Sequence, residues 1–341
     1  PTPWSLGGGG GGGDGSECFF EYNQRGHQVY RLLAVNATNG TVRNVIEERS
    51  DTFIDYSNKI DARHLDATNE VLWMSERNGW NHLFLVDRAT GAARQLTRGD
   101  WVVRDVRHVD EARGQVWFRM MGFDPDQDPY HVHYARISFD GSGFTRLTRG
   151  NGTHELTFSP DRQYYIDTWS RVDQPPVHEL RRSADGSLVC ELGRADARAL
   201  RDAGWIPPEP FAAKGRDGRT GIWGVIYRPT HFDPGRAYPV IESIYAGPHG
   251  HHVPKRFAAY RETQALAELG FIVVQIDGMG TNWRSKAFHD VAWKNLKDAG
   301  FPDRIAWLRA AAARYPSLDL SRVGIYGGSA GGQNAMRAVL D

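Results

Sequence analysis

Two cysteines in 341 residues, Cys18 and Cys190, are too few and too far apart to make a disulfide framework, so cysteine usage leaves the redox compartment open. Net charge is lacking as well. Forty-one Lys and Arg face 41 Asp and Glu, which gives no electrostatic reason to expect nucleic acid or an anionic membrane as a partner. Long hydrophobic runs are missing: "FIVVQI" from Phe271 has the length of a strand and falls far short of a bilayer span. No methionine opens the chain and no signal segment is visible, so the start at Pro1 reads as a cut, with any targeting signal expected upstream. What is present is an ordinary globular composition, 40% hydrophobic and long enough for two domains. The run "LGGGGGGGDGS" from Leu6 reads as low complexity, an irregular loop or insertion.

The chain has two rhythms. Up to about residue 200 it alternates short apolar strands with Gly, Asn and Asp turns, and it repeats itself. "LFLVDRATGAARQLTRGDW" from Leu83 is echoed by "HYARISFDGSGFTRLTRGN" from His133, the two "LTRG" segments starting at Leu96 and Leu147, 51 residues apart. Several strands per unit at such a period predict β-propeller blades, about three to four of them; a β-sandwich is the rival fold. After "WIPPEP" at 205–210, a stiff Pro-rich hinge, helical patterns alternate with buried apolar strands, as in an α/β domain around a largely parallel sheet. The expected helices are "KRFAAYRETQALAELG" from Lys255 and "DAGFPDRIAWLRAAAARY" from Asp298; "FIVVQID" and "VGIYG" are strands. The expected division is therefore a partial propeller at 1–204 and an α/β domain at 205–341, which its C-terminal motif marks as the first half of an α/β-hydrolase domain.

Near the C-terminal end, Gly327-Gly328-Ser329-Ala330-Gly331 fits G-x-S-x-G, the nucleophile elbow. A serine on a sharp strand-to-helix turn needs small neighbours two residues away on either side, and its hydroxyl then stands clear of the sheet. The Ala330 N–H would face developing negative charge at the start of the helix. The competing explanation is a Gly-rich turn that packs closely or binds phosphate, but no G-x-G-x-x-G and no Lys-Ser/Thr pair accompanies it. Twelve residues follow Ser329 and none is histidine, while Asp341 falls on the helix that begins at the elbow. In this fold the acid and then the base come after the serine. Both are expected beyond residue 341, which would leave the chain itself inactive.

These stretches, with "YRPTHFDPGRAYPVIESIYAGP" from Tyr227, "GFIVVQIDGMGT" from Gly270 and "KAFHD" from Lys286, resemble the prolyl oligopeptidase family of serine peptidases, in particular the dipeptidyl peptidase IV type. "MSERNGWNHLFLVD" from Met74 and "FSPDRQYYIDTWSRVDQPP" from Phe158 resemble later blades of that family's propeller. The resemblance implies Ser329 as the acyl-forming nucleophile. It also implies Tyr245 as one arm of the oxyanion hole and the Ala330 backbone N–H as the other. Read without it, Tyr245 would be a strand-end aromatic under a loop. Two departures stand out. Gly328 and Ala330 replace aromatic residues that flank the family's serine, which weakens the case for proline at the cleavage site. Asp277-Gly278-Met279-Gly280 replaces the family's DGRG. The acidic pair that grips a substrate's amino terminus lies in the family upstream of where this chain begins; Glu47-Glu48 resembles it but reads as a solvated polar turn.

His249, His251 and His252 suggest a metal site only superficially, because no further ligand accompanies them at suitable spacing; active-site rim or plain loop is the simpler reading. His131 and His133 have the spacing of one strand face, and "DPDQDP" at 124–129 reads as a turn rather than a calcium loop. Asp277 precedes the elbow, so chain order argues against it as the triad acid. The sequence thus points to a serine-type peptidase acting on short peptides or N-terminal dipeptides by acyl transfer. It would need no cofactor and no metal, and the intact parent could be a homo-oligomer. An esterase or acylaminoacyl-peptidase on the same scaffold, or a non-catalytic propeller binding module, are the alternatives.

Overall fold

The computed structural model of the chain describes residues 2–11 and 15–340. Two compact units make it up. The first runs to Phe123 and adds His133–Leu147 and Arg284–Asp290; the second holds Asp124–Val132, Thr148–Trp283 and Val291 onward.

Three four-stranded sheets build the first unit, each an antiparallel meander of sequential strands. They are β1 (Pro3–Gly11), β2 (Glu17–Gln24), β3 (Val29–Asn36) and β4 (Val42–Arg49); then β5 (Ala62–Leu65), β6 (Glu70–Ser75), β7 (His82–Asp87) and β8 (Ala93–Gln95); then β9 (Val102–Asp110), β10 (Gln115–Met121), β11 (Val132–Ser138) and β12 (Thr145–Arg146). Inner strands are covered on both faces and so are apolar almost throughout: "VLWM" of β6 and "HLFLV" of β7 are buried at every position. One core joins Leu72, Leu83, Leu85, Val103, Phe118 and Ile137; another joins Phe19, Leu32, Ile46, Trp73 and Phe84. Such layered four-stranded meanders are propeller blades.

The repeated "LTRG" has a structural job in each copy. Leu96 N–H bonds the Leu83 carbonyl and Leu147 N–H bonds that of Tyr134, so each leucine continues the outer strand inward to a buried position. The Thr97 hydroxyl accepts from the Leu83 amide, and the Gly99 carbonyl bonds His82 Nε2 at 2.9 Å. In the second unit the Gly150 carbonyl does the same with His154 Nε2 at 2.8 Å.

The glycine run departs from the sequence reading. Leu6, Gly7, Gly8 and Gly11 pair with Tyr22, Glu21, Phe20 and Cys18, so this segment is an edge strand and not a loop. Ladder bonds come from the backbone, and β2 offers a template that compensates for the extra entropy glycine loses. The remainder of the run, Gly12, Gly13 and Asp14, lies outside the described residues.

The second unit contains a fourth antiparallel meander, β13 (Thr153–Phe158), β14 (Tyr164–Arg171), β15 (Gln174–Arg182) and β16 (Leu188–Arg194). It also contains a five-stranded sheet of β17 (Glu209–Lys214), β18 (Gly221–Tyr227), β19 (Tyr238–Ser243), β20 (Ile272–Asp277) and β21 (Leu318–Tyr326), in the order β17-β18-β20-β19-β21. β17, β18 and β20 are antiparallel neighbours, whereas β19 runs parallel to both β20 and β21. The α-helices among the described residues are α1 (Arg198–Asp202), α2 (Glu262–Ala267), α3 (Lys286–Asp290), α4 (Phe301–Arg314) and α5 (Ala330–Leu340). The chain thus combines propeller blades with the first strands of an α/β-hydrolase sheet.

Helix α2 is much shorter than the amphipathic pattern from Lys255 predicts. Residues 255–257 are tied down instead: Lys255 Nζ bonds Asp128 at 2.6 Å, Arg256 pairs with Glu155, and Phe257 N–H reaches the Ser170 hydroxyl. Those long-range bonds replace helical ones. Helix α4 matches its prediction and carries the fully buried Trp307, whose ring edge meets Phe211 at a centroid distance of 5.1 Å and whose Nε1 donates to the Phe211 carbonyl. Arg304, one turn earlier, is also buried. It donates to the Ala299 carbonyl at 2.9 Å and forms an ion pair with buried Glu242 on β19. On the far edge, β21 leaves Val323 and Tyr326 exposed, with Leu269 nearby along an apolar groove that Ile241, Leu266 and Ile325 also line.

His131 and His133 are both buried, and the "DPDQDP" segment is a turn, as read from sequence. Burial lowers the His131 imidazole from 6.5 to about 4; Asp128 opposes that shift, while Lys255 and Arg171 add to it. Above the ordinary histidine range the ring is neutral in folded and unfolded chains alike. Between that range and about 4 only the unfolded chain takes up the proton, so stability is lost as pH falls through this window. The expected loss is roughly 3 kcal/mol between pH 7 and pH 4. His131→Gln should flatten that part of a urea-unfolding pH series; an unchanged slope would show that His131 does not cause it.

Candidate active site

The elbow is built by β21, the turn that follows it and α5. Ser329 has φ of 52°, the left-handed region that a side chain tolerates poorly, and it stands exposed at the tip of the turn. Its carbonyl accepts from the Gly332 and Gln333 amides, which opens the helix directly behind it. Two glycines make the turn possible. A Cβ on Gly327 would lie 2.6 Å from the Gly331 carbonyl carbon and overlap the Ile244 carbonyl oxygen. One on Gly331 would strike the same oxygen and come 3.5 Å from the Cα of Tyr245. At Gly328, by contrast, a Cβ would stand in open space, with nothing within 4 Å.

That crowding brings Tyr245 to the elbow. It follows β19, which pairs in parallel with β21 up to Ser243 opposite Tyr326, and Ile244 N–H continues the ladder to the Tyr326 carbonyl. Helix α5 closes the arrangement, because buried Asn334 accepts the Ala246 amide through Oδ1 at 3.0 Å. The Tyr245 ring is half-buried and packs on the His252 imidazole with centroids 3.9 Å apart. Among the described residues neither the Tyr245 hydroxyl nor the Ser329 hydroxyl has a hydrogen-bond partner, so both are available to a substrate. Ala330 is the first residue of α5, with its N–H at the helix start, where no intrahelical acceptor exists.

Asn334, and what Asp277 does, are what sequence reasoning missed. Asp277 is fully buried at the end of β20, and its two oxygens accept the backbone amides of His252 at 2.9 Å and Val253 at 3.0 Å. It therefore fixes the loop after Tyr245, a role its position before the elbow does not reveal. Burial holds the His252 imidazole below the ordinary histidine range, with Asp277 acting in the opposite sense. His249 is exposed, and among the described residues no group of three or more His, Cys, Asp or Glu converges as a metal site would require. The buried pair His154–Asp167, at 2.8 Å, looks like a base and its acid, yet the other nitrogen of His154 is taken by the Gly150 carbonyl, so the pair is a structural lock. Asp341 lies outside the described residues.

Glu47 and Glu48 correct the sequence reading. Both lie on strand β4, and Glu48 is only 6% exposed, accepting from Trp73 Nε1 at 2.8 Å and pairing with Arg77. Its inward position on an alternating strand buries it, and the arginine and indole offset the cost of that burial. Glu47 is bound by Arg49 and Arg31, which hold its carboxyl below the usual range.

No helix among the described residues is long and apolar enough to cross a membrane. Comparison with known proteins matches residues 12–176 to the dipeptidyl peptidase IV N-terminal region and residues 257–341 to the prolyl oligopeptidase family. Human dipeptidyl peptidase 8 is 31% identical over 259 residues, 72% of this chain and 28% of that protein. The Porphyromonas gingivalis dipeptidyl peptidase 4 structure superposes over 95% of this chain and 45% of its own, with a TM-score of 0.78 and 26% identity. A Bacteroides ovatus protein assigned as a dipeptidyl aminopeptidase IV shares the fold, with a TM-score of 0.82 over 98% of this chain and 49% of its own at 22% identity. The chain thus spans under a third of its curated relative and about half of each solved structure. With blades, hydrolase strands and elbow each matched in chain order, it belongs to the prolyl oligopeptidase family of serine peptidases, in its dipeptidyl peptidase IV type.

Proposed function

We propose that a longer parent carrying residues 1–341 is a serine peptidase that removes N-terminal dipeptides or cleaves short peptides through an acyl-enzyme. The observation that carries this reading is the strained, exposed Ser329 on an elbow whose Gly331 abuts the Tyr245 backbone, with neither hydroxyl bonded among the described residues. Ser329 Oγ bonds to the scissile carbonyl carbon as its proton passes to a histidine base. The carbonyl oxygen becomes an oxyanion that accepts from the Tyr245 hydroxyl and the Ala330 amide. Collapse breaks the C–N bond, the base returns the proton to the leaving amine, and water releases the acyl group by the same steps. We assign residues 1–204 to the propeller part and 205–341 to the hydrolase part, and no cofactor enters the scheme.

No histidine among the described residues is bonded to Ser329. Residues 1–341 alone are accordingly expected to turn over no peptide. A fluorophosphonate, which phosphonylates activated serines, tests both statements. It should label Ser329 in the longer parent and fail to label residues 1–341. Labelling elsewhere in the parent, or none, would refute the assignment.

A second reading, an esterase or acylaminoacyl-peptidase on this scaffold, draws support from the open space at Gly328 and the methyl side chain of Ala330. Neither can wall a proline pocket. Matched peptide and ester substrates in the parent separate the two: a preference for amides with a free amino terminus favours the dipeptidyl reading, and efficient turnover of blocked amino termini or simple esters favours the other.

A further inference from the structure

We propose that His252 is a positioning residue for Tyr245, its ring setting the orientation of the phenol; the inference rests on the role given to Tyr245 above. Three observations carry it. The two rings are in direct contact, 3.9 Å between centroids and tilted by 42°. The backbone around Tyr245 is equally close, since a Cβ on Gly247 would come 2.7 Å from Tyr245 Cε1. The phenol thus meets the imidazole and the Gly247 main chain, and it has little room to swing. Finally, the imidazole cannot drift. Its own amide and that of Val253 are bound by buried Asp277, which fixes the backbone that carries the ring.

The ring nitrogen Nε2 is buried with no hydrogen-bond partner, a cost that an aliphatic residue at 252 would avoid. A flat ring stands there despite that cost, and it packs against the ring of Tyr245. The chain from Asp277 through His252 to Tyr245 therefore links the end of β20 to the hydroxyl proposed to meet the oxyanion. An oxyanion donor acts only if its hydrogen points at the place where charge develops, so a loosened ring loses rate without losing affinity.

The test is a double-mutant cycle in the longer parent, read as the rate of fluorophosphonate labelling of Ser329. His252→Ala should slow labelling at saturating probe by about tenfold or more, with the half-saturating concentration within about twofold, and His252→Phe should restore most of the rate. In a Tyr245→Phe background His252→Ala should have no further effect. An equal loss in both backgrounds, or no loss in the first, would overturn the proposal. A readout independent of the serine is 19F NMR of 3-fluorotyrosine, the Tyr245 signal being assigned by its loss in Tyr245→Phe. One narrow line is expected in the native protein, and averaged or multiple lines in His252→Ala. An unchanged line would defeat the proposal even if Ser329 proved unreactive, whereas an unlabelled Ser329 with a changed line would refute the peptidase reading alone.

Discussion

Ser329→Ala in the longer parent is expected to lower kcat for peptide hydrolysis by at least about 10^4-fold with KM little changed, because it removes the atom proposed to form the acyl-enzyme and leaves the rest of the elbow alone. The elbow makes this a clean substitution. Ser329 is exposed at the tip of the turn, so alanine removes no core residue. Tyr245→Phe should fall between that variant and the native enzyme, losing about 10^2–10^3 in kcat, the range found when one oxyanion donor is removed. Steady-state kinetics on a dipeptidyl p-nitroanilide would check both. A Ser329→Ala enzyme with substantial residual rate would remove the nucleophile assignment. A Tyr245→Phe enzyme with native kcat would reduce Tyr245 to a packing residue.

Arg304→Met is expected to destabilise the hydrolase part by about 3–5 kcal/mol. Arg304 and Glu242 are both nearly inaccessible, and the guanidinium is the ionic partner of a carboxylate on the inner strand β19. Methionine fills the volume but strands the carboxylate in a medium that cannot solvate it. The partner variant decides the cause: Glu242→Leu combined with Arg304→Met should recover most of the loss, because no buried charge is then unpaired. Urea denaturation followed by tryptophan fluorescence measures both. A double variant as unstable as the single one would show that packing, and not the stranded charge, was responsible.

The parts legible in the sequence are those written in local periodicity. The apolar run that forms β20, the Pro-started helix α4 and the strand-turn-helix of the elbow all declare themselves within about a dozen residues. The repeated "LTRG" marks the second and third sheets because each copy performs the same inward backbone bonding. Other parts are fixed by partners far along the chain. The unwinding of residues 255–260 depends on Asp128, Glu155 and Ser170, and the Asn334 bond to Ala246 spans 88 residues; neither leaves a local pattern. Glu48 is hidden for a related reason. A charged residue next to a turn reads as solvated until Trp73 and Arg77 are seen beside it. The glycine run reads as a loop because propensity alone takes no account of the neighbouring strand that templates it.

The three glycines around Ser329 also shape how the site can diverge. Any missense change at residue 327 or 331 installs a Cβ where the Ile244 carbonyl already sits, so lineages carrying one lose the turn that presents Ser329. Residue 328 lies under no such constraint, since an added side chain there meets open space immediately before Ser329. Inheritable change at the proposed site therefore has a route through position 328 that keeps the turn intact, and a saturation library of the elbow is expected to show tolerance at that one glycine between two that allow none.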